Sequence, residues 1–142
     1  MIRIMLKKNE DRRIRGGHPW VFSNEIARIE GTPEPGAACL VYDSGGCLLG
    51  TGYHNPHSLI AVRLLSRQQI DIDDVAFFEE RIAAALAHRR TVYPQLDSFR
   101  LVYGESDYLP GLVVDKYGAY LSLQLLSAGM DRRRGLIMEA LQ

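Results

Sequence analysis

Short strand-like runs separated by turn residues dominate the first half of the chain, and in the first of them, residues 2–7, apolar and other residues alternate. Alternation with a period of two is typical of half-buried β-strands. Strands are therefore predicted at residues 2–7, 26–30, 38–43, 47–54 and 58–65. Ser44-Gly45-Gly46 is a hairpin signal, and Pro19 is predicted to start a helical turn because it needs no backbone partner there. Many short strands with regular turn signals indicate a small β-barrel.

The pattern changes near residue 70, where apolar residues recur at helical spacing. Val75, Phe78, Ile82 and Leu86 fall on one face of a predicted helix. The acidic residues at 71–74 are candidates to cap its beginning. Its end is marked by cations and a helix-breaking residue, namely Arg89, Arg90 and Pro94.

Residues 99–103, 112–115 and 120–125 are predicted as strands, and a second helix is predicted from about Asp131. The fold class is therefore predicted as α+β: a β-pseudobarrel at 1–67, followed by a small sheet-and-helix domain at 70–142. The helical pattern reaches Gln142 without a cap. We therefore expect the second domain to be incomplete at its C-terminus and the chain to be part of a longer protein.

The composition is that of a globular protein, with 46% hydrophobic and 24% charged residues. No apolar run approaches the roughly 20 residues that span a bilayer, and the N-terminus lacks the pattern of a signal peptide. A cytoplasmic protein without a membrane partner is therefore expected. Cys39 and Cys47 are too few for a disulfide framework, and both are predicted to be buried thiols because they lie in apolar runs.

Charge is unevenly spread along a chain whose net charge is zero. Residues 1–67 carry nine Lys and Arg against six Asp and Glu, and the first fifteen residues hold six of those cations. A basic front on a neutral chain indicates a polyanionic partner. Charge alone leaves the simpler interpretation, a solvated charged face, ahead of that one.

Five segments of the chain resemble one enzyme family: GHPWVFSNEI (17–26), GTGYHNPHSLIAVRLLS (50–66), IDIDDVAFFEERI (70–82), FRLVYGESDYLPGLVVDKYG (99–118) and LQLLSAG (123–129). They resemble class I SAM-dependent methyltransferases that modify cytosine C5 in 23S ribosomal RNA, and within these the large-subunit methyltransferase I family. The resemblance covers essentially the whole chain. At Tyr108 this sequence departs from the Gly that is more common in the family.

The resemblance implies three domains: an N-terminal PUA domain that binds RNA, a central α/β domain, and a Rossmann-like catalytic domain that binds S-adenosylmethionine. Residues 1–67 would be the PUA-like domain and 70–142 the first part of the central domain, with the catalytic domain absent. The chain would then bind ribosomal RNA and position it as substrate, without methyltransferase activity or a cofactor of its own.

The expected RNA contacts combine cations for phosphates with flat side chains for exposed bases. Trp20 is interpreted as mainly structural because Val21 and Phe22 beside it are apolar. The candidate RNA-binding residues are Lys7, Lys8, Arg12, Arg13, Arg15, His18 and Tyr53.

No motif of the chain predicts catalysis, a cofactor or a metal. Gly50-Thr51-Gly52 is followed by Asn55-Pro56 and not by a third glycine and a helix, so a bulge or close backbone approach is favoured over a nucleotide-binding turn. Neither cysteine has a charged neighbour that would activate it as a nucleophile. His54 and His57 lack a third metal ligand.

Glu105 and Asp107 lie together in a Gly/Pro-containing loop. Paired carboxylates suit acid–base work or cation binding, but turn chemistry or an interdomain contact is favoured here. Two other functions remain open. One is a non-catalytic docking or dimerisation module, with a homodimer formed through an exposed sheet edge; the other, a small-molecule-binding β-barrel enzyme, is disfavoured because no catalytic set converges.

Overall fold

The computed structural model describes all residues from 1 to 142, and they form two compact units, Met1–Ile72 and Asp73–Gln142. The first unit is built mainly of strands and the second of a small sheet with helices. This α+β architecture confirms the predicted fold class. None of its helices combines the length and apolar character that crossing a membrane requires.

The first unit is a mixed six-stranded sheet that curves into a half-barrel. Its strands follow the order β2-β6-β5-β4-β1-β3, in which β1 and β4 are parallel and the other neighbours are antiparallel. Helix α1 covers Arg12–Arg15, and a 3-10 turn covers Ser23–Glu25. The strands are β1 (Ile2–Leu6), β2 (Trp20–Phe22), β3 (Ile26–Glu30), β4 (Ala37–Tyr42), β5 (Leu48–His54) and β6 (Ile60–Ser66).

The core of this unit follows the predicted alternation. In β1, Ile2, Ile4 and Leu6 are buried, whereas the residues between them are more exposed. They pack with apolar side chains that include Val41 and Val62. Burying one such side chain contributes roughly 1.5–3 kcal/mol, so the alternating strands supply the main stabilisation of the half-barrel.

Gly50 and Gly52 lie where β5 crosses close to β6. The pairing of the two strands shifts between Thr51 and Gly52. A Cβ on Gly52 would overlap the carbonyl oxygen of Arg63, and one on Gly50 would overlap that of Ser66. The prediction that these glycines mark a bulge with close backbone approach is confirmed.

The second unit is an antiparallel three-stranded sheet, β7-β8-β9, whose first strand packs against a long helix. That helix, α2, also packs against the last helix, α4. A 3-10 turn at Gly104–Asp107 follows β7. The elements are α2 (Val75–Val92), β7 (Ser98–Tyr103), β8 (Leu112–Tyr117), β9 (Tyr120–Leu125), α3 (Ala128–Arg132) and α4 (Arg134–Ala140).

Helix α2 begins where the acidic residues predicted. The Asp74 carboxylate accepts a hydrogen bond from the backbone N–H of Ala76 at 3.0 Å, which satisfies one of the free donors at the helix start. Phe78 and Ile82 are buried as predicted. Phe77 is buried as well, so the apolar face is broader than the predicted one.

Three predictions of local structure are wrong. Pro19 starts no helical turn, because residues 20–22 extend as an edge strand paired with β6. Cys47 is exposed, since it ends the tight turn that Asp43 closes by accepting its N–H at 2.8 Å. The helix expected from Asp131 begins at Ala128, capped by Ser127, and is interrupted at Arg133.

Candidate nucleic-acid interface

The basic segment at the front of the chain forms the turn after β1 and helix α1. Lys7, Lys8 and Arg12 are exposed and form no ion pair. Asn9 takes a left-handed backbone conformation, with φ of 68°, that reverses the chain between the two lysines and α1. The guanidinium of Arg67 donates to the Ile14 carbonyl oxygen at 2.6 Å and so ties α1 to the end of β6.

Arg13 is held against the half-barrel by a carboxylate and a ring. Its Nη2 lies 2.6 Å from Oε1 of the buried Glu25, and its guanidinium carbon lies 4.7 Å from the centre of the Phe22 ring. The same Glu25 oxygen accepts the backbone N–H of Phe22 at 2.8 Å. The charge of Arg13 is therefore largely matched by Glu25, and its guanidinium is held over the Phe22 ring.

Arg15 bridges two carboxylates, Asp11 on one side and Asp43 on the other. Its hydrogen bond lowers the pKa of Asp11 below the usual range. The pKa of Asp43 is lowered mainly by the backbone N–H of Cys47, with further contributions from Gly45 and Arg15. Arg15 thus anchors α1 to the β4–β5 turn, and its charge is already matched by two carboxylates.

A row of aromatic rings runs along β2, the edge strand of the half-barrel sheet. The rings of His18 and Trp20 meet edge to face at 5.5 Å, and those of Trp20 and Phe22 at 6.4 Å. His18 Nδ1 accepts the backbone N–H of Trp20 at 3.1 Å, which fixes its ring. The guanidinium carbon of Arg63 lies 5.4 Å from the centre of the Trp20 ring.

We call His18, Trp20, Phe22, Arg13 and Arg63 the ring row. Flat rings with guanidinium groups beside them are the chemistry on which unpaired bases stack. His18 and Arg13 are among the RNA-binding residues predicted from the sequence. Trp20 is interpreted there as mainly structural, and Arg63 is not among the predicted residues. The cross-strand pairing of Trp20 with Arg63 is the missing signal, and it needs the register of β2 on β6.

Tyr53 does not join the ring row. It pairs with Arg63 from the other side, in β5, but only 3% of its surface is exposed. Its ring is therefore out of reach of a base bound at the surface. The physical reason is that both faces of β5 are covered, because residues 49–54 are all buried without alternation.

In the second unit, Asp107 is the centre of a buried ion pair. Its two carboxylate oxygens accept from Nη1 and Nη2 of Arg89 at 3.0 and 2.6 Å, and one also accepts the N–H of Tyr103 at 2.7 Å. These contacts join α2 to the turn after β7. Glu105 is exposed in the same turn, and its carbonyl oxygen accepts from the N–H of Tyr108.

Tyr108 ends this turn in a left-handed conformation, with φ of 59°. Glycine adopts that conformation at little cost, so a side chain here needs local support. Arg81 supplies it: its Nη1 donates to the Tyr108 carbonyl oxygen at 3.0 Å, and its guanidinium carbon lies 5.7 Å from the Tyr108 ring centre. Burial lowers the pKa of Arg81.

Neither a metal site nor a cofactor turn is built from these residues. No group of three or more His, Cys, Asp or Glu side chains lies together, and Cys39 is fully buried. Gly50-Thr51-Gly52 continues as strand to His54, so no helix N-terminus follows it.

A family model described as a PUA-like domain matches residues 4–67. The chain is 42% identical over 143 residues to the ribosomal RNA large subunit methyltransferase I of Erwinia tasmaniensis. The aligned region covers 99% of this chain and 36% of that protein. The corresponding protein of Pseudoalteromonas translucida is 40% identical over 140 residues, or 97% of this chain and 35% of that one. The chain thus spans about a third of the length of these relatives.

Solved structures show the same fold. A protein described as a methyltransferase and crystallised in complex with SAH superposes with a TM-score of 0.84, over 99% of this chain and 37% of its own, at 17% identity. A protein from Streptococcus mutans described as a SAM-dependent methyltransferase superposes with a TM-score of 0.82 at the same coverage and identity. Over nearly its whole length, the chain is therefore similar to a segment that makes up about one third of the length of ribosomal RNA large subunit methyltransferases I. Within it, residues 4–67 are a PUA-like domain.

Proposed function

We propose that this chain is the RNA-binding and substrate-positioning part of a SAM-dependent ribosomal RNA methyltransferase. The ring row on β2 carries the proposal, because it combines three rings with two guanidinium groups at the edge of a PUA-like domain. The names of the similar proteins supply the substrate class, ribosomal RNA, and the reaction, methyl transfer.

Phosphate contact is assigned to Lys7, Lys8 and Arg12. These three cations are exposed and form no salt bridge, so they are free to contact the phosphates of an RNA strand. Arg13 and Arg15 belong to the same segment, but each already faces a carboxylate. Their contribution to binding is expected to be smaller and mainly positional.

The target is proposed to be cytosine C5 of 23S ribosomal RNA, following the sequence resemblance described above. We assign residues 1–67 to the RNA-binding domain and 70–142 to the first part of a central domain. Methyl transfer to C5 needs an activated thiolate and bound S-adenosylmethionine. Both are assigned to a catalytic domain of the parent protein outside this chain.

S-adenosylmethionine does not fit the one glycine pair that suggests a nucleotide turn. The space that the ribose or the methionine carboxylate would need beside Gly50 and Gly52 is filled by the carbonyl groups of Ser66 and Arg63. β5 runs on to His54 instead of turning into a helix whose free N–H groups would face a ligand. No step of the reaction is therefore assigned to these residues.

RNA titration at two salt concentrations tests the proposal. A short hairpin from 23S ribosomal RNA, labelled with a fluorophore, is titrated with the chain, and binding is followed by anisotropy. Contacts to three phosphates predict that the logarithm of the association constant falls with the logarithm of salt with a slope of about −2 to −3. Replacing Lys7, Lys8 and Arg12 together by Ala should remove most of that slope.

A charge-matched control replaces Arg90, Arg132 and Arg134 by Ala, since these exposed arginines lie in the second unit. It removes the same charge and should leave the salt slope nearly unchanged. Equal losses in both triple variants would mean that only net charge matters. Undetectable binding at low salt would reject the RNA-binding function.

A docking or dimerisation role is the second candidate, and it rests on strand β9. This strand forms one edge of the three-stranded sheet, and 79% of the Tyr120 side chain is exposed there. Open sheet edges with apolar side chains tend to pair with a second chain. Sedimentation that shows a dimer, lost when Leu121 is replaced by Lys, would favour this role; a monomer at all concentrations would reject it.

A further inference from the structure

Within the second unit, helix α2 and the turn after β7 enclose a cavity of about 340 Å³. That volume lies within the range of roughly 300–1,000 Å³ that is typical of small-molecule pockets. On the helix side, Arg81 and His88 lie about two turns apart on one face, with only alanines between them on that wall. On the other side the wall is formed by Ser106, Asp107 and Tyr108.

The carboxylate in this wall does not oppose the entry of an anion. Both oxygens of Asp107 are occupied, since they accept hydrogen bonds from Arg89 and one also accepts the Tyr103 N–H. The negative charge of Asp107 is thus matched by the positive charge of Arg89. The same contacts hold the turn against α2, so the two walls of the cavity have a fixed spacing.

Two accessible side chains of the wall have hydrogen-bonding groups to offer a ligand. Ser106 and His88 are exposed, and neither side chain makes a hydrogen bond or an ion pair within the protein. Hydroxyl, imidazole and guanidinium groups together form a set of donors suited to phosphate oxygens. The polar part of the wall therefore fits a phosphate group.

Arg81 supplies the positive charge of this set. Its Nη1 donates to the Tyr108 carbonyl oxygen at 3.0 Å, which fixes the guanidinium at the cavity. Burial lowers the pKa of Arg81, although Glu80 and Tyr108 act in the opposite direction. The neighbouring groups thus do not fully replace the water that this cation has lost, and an anion bound in the cavity would stabilise its charge.

The rim of the cavity displays an aromatic ring at a conformational cost. Tyr108 has a left-handed backbone, with φ of 59°, yet its residue is 70% exposed. Packing of the ring in the core therefore does not offset the strain, and strained residues of this kind cluster at functional sites. The guanidinium carbon of Arg81 lies 5.7 Å from the ring centre. An exposed ring beside a guanidinium group is a surface on which an unpaired base stacks.

We propose that this cavity binds one unpaired nucleotide of the RNA. Its phosphate lies at Ser106, His88 and Arg81. Its base stacks on the ring of Tyr108. The donors alone would serve any oxyanion, and the exposed ring is what favours a nucleotide. The inference rests on the proposed RNA-binding function and adds to it a contact in the second unit, outside the PUA-like domain.

The phosphate contact is tested with a labelled hairpin that carries a short single-stranded tail. Ser106→Asp places a negative charge among the donors and should weaken binding of this RNA at least about fivefold. Gln95→Asp is the charge-matched control, because Gln95 is exposed in the same unit and does not line the cavity. The control should weaken binding less than about twofold.

The base contact is tested with Tyr108→Gly. This variant should bind the tailed hairpin about five- to tenfold more weakly, because the stacking surface is lost. Its urea midpoint should stay nearly unchanged, because glycine adopts the left-handed conformation without strain. Binding of a fully paired hairpin of equal charge should not change. Tyr117→Ala removes another exposed ring of the second unit, one that does not line the cavity, and should leave both affinities unchanged.

Mononucleotides identify the occupant directly. CMP, AMP, GMP and UMP are titrated separately into the chain, and at least one should shift the amide NMR signals of Ala84 and Ser106. Inorganic phosphate should shift them less at the same concentration, because it lacks a base. Equal shifts with inorganic phosphate would reduce the cavity to an oxyanion site and overturn the nucleotide. Larger shifts with a glutamate-rich peptide would assign the cavity to a protein partner and overturn it as well.

The cavity and the RNA-binding function fail in different ways. Salt-dependent RNA binding that is unchanged in both Ser106→Asp and Tyr108→Gly, with no mononucleotide shifts, would overturn the cavity and leave RNA binding intact. Mononucleotide shifts at Ser106 without measurable RNA binding would reject the RNA function and assign the cavity to a free nucleotide. Ser106→Asp keeps the test decisive if Tyr108→Gly disturbs the turn.

Discussion

Replacing Asp107 by Ala tests how the second unit is held together. The Asp107 carboxylate accepts two hydrogen bonds from Arg89 and one from the Tyr103 N–H, and 8% of the residue is exposed. Removing it leaves the Arg89 guanidinium, with 14% side-chain exposure, without its anion. Breaking such a buried pair lowers the free energy of unfolding by about 3–5 kcal/mol. That figure includes much of the cost of leaving the Tyr103 N–H without an acceptor.

That loss is a large share of the roughly 5–15 kcal/mol by which a domain is usually stable. The assay uses the position of the only tryptophan, Trp20, which lies in the first unit. Urea unfolding is followed by far-ultraviolet circular dichroism, dominated by α2 in the second unit, and by tryptophan fluorescence. Asp107→Ala should lower the midpoint seen by dichroism and leave the fluorescence midpoint nearly unchanged.

Two further variants make the interpretation specific. Asp115→Ala removes a carboxylate whose partner, Arg100, is far more exposed, and it should shift the dichroism midpoint much less. Arg89→Met combined with Asp107→Ala should be less destabilised than the two single changes added together, by about 1–3 kcal/mol, because each single change leaves a charged or polar partner unpaired. A cost of less than about 1 kcal/mol for Asp107→Ala, or no coupling between the changes at Arg89 and Asp107, would contradict a stabilising buried ion pair.

Three more predictions concern folding. Gly52→Ala should destabilise the first unit by about 1–3 kcal/mol in urea unfolding, because its Cβ would overlap the Arg63 carbonyl oxygen, whereas Gly135→Ala, with open space around it, should not destabilise. Asp74→Ala should cost about 0.5–2 kcal/mol and reduce helical dichroism, because the cap of α2 is lost. Burial lowers the pKa of His54 below 6.5, so as the pH falls the unfolded chain takes up a proton at His54 before the folded chain does. The free energy of unfolding should therefore decrease as the pH drops below about 6.5, and it should level off below the pKa of His54 in the folded state. The variant His54→Phe should reduce this pH dependence.

Strands and the main helix were predictable because their signals are local. Alternation identified β1, and the spacing of Phe78 and Ile82 identified α2. A strand buries one face and a helix one stripe, and both periods are visible in a few residues. The Gly50-Thr51-Gly52 bulge was predictable for the same reason, since a glycine pair inside a strand signals close backbone approach.

The partners of the basic segment were not predictable, because they are distant in sequence. Glu25 lies 12 residues from Arg13, and Asp43 lies 28 residues from Arg15. Their contacts depend on how α1 is placed on the half-barrel, which no local pattern encodes. The burial of Tyr53 was not predictable either, because it follows from the covering of both faces of β5, where residues 49–54 are all buried.

The division of the basic segment into paired and unpaired cations narrows what RNA binding requires. Five positively charged side chains within nine residues would repel one another if no carboxylate lay beside any of them. The structure matches two of them, Arg13 and Arg15, with carboxylates of the first unit, and this holds α1 in place. Lys7, Lys8 and Arg12 are then presented from a fixed turn, so a phosphate backbone meets an ordered set of charges. It follows that Glu25→Gln should weaken RNA binding, although it makes the chain more positive, because it loosens the segment that presents the three cations.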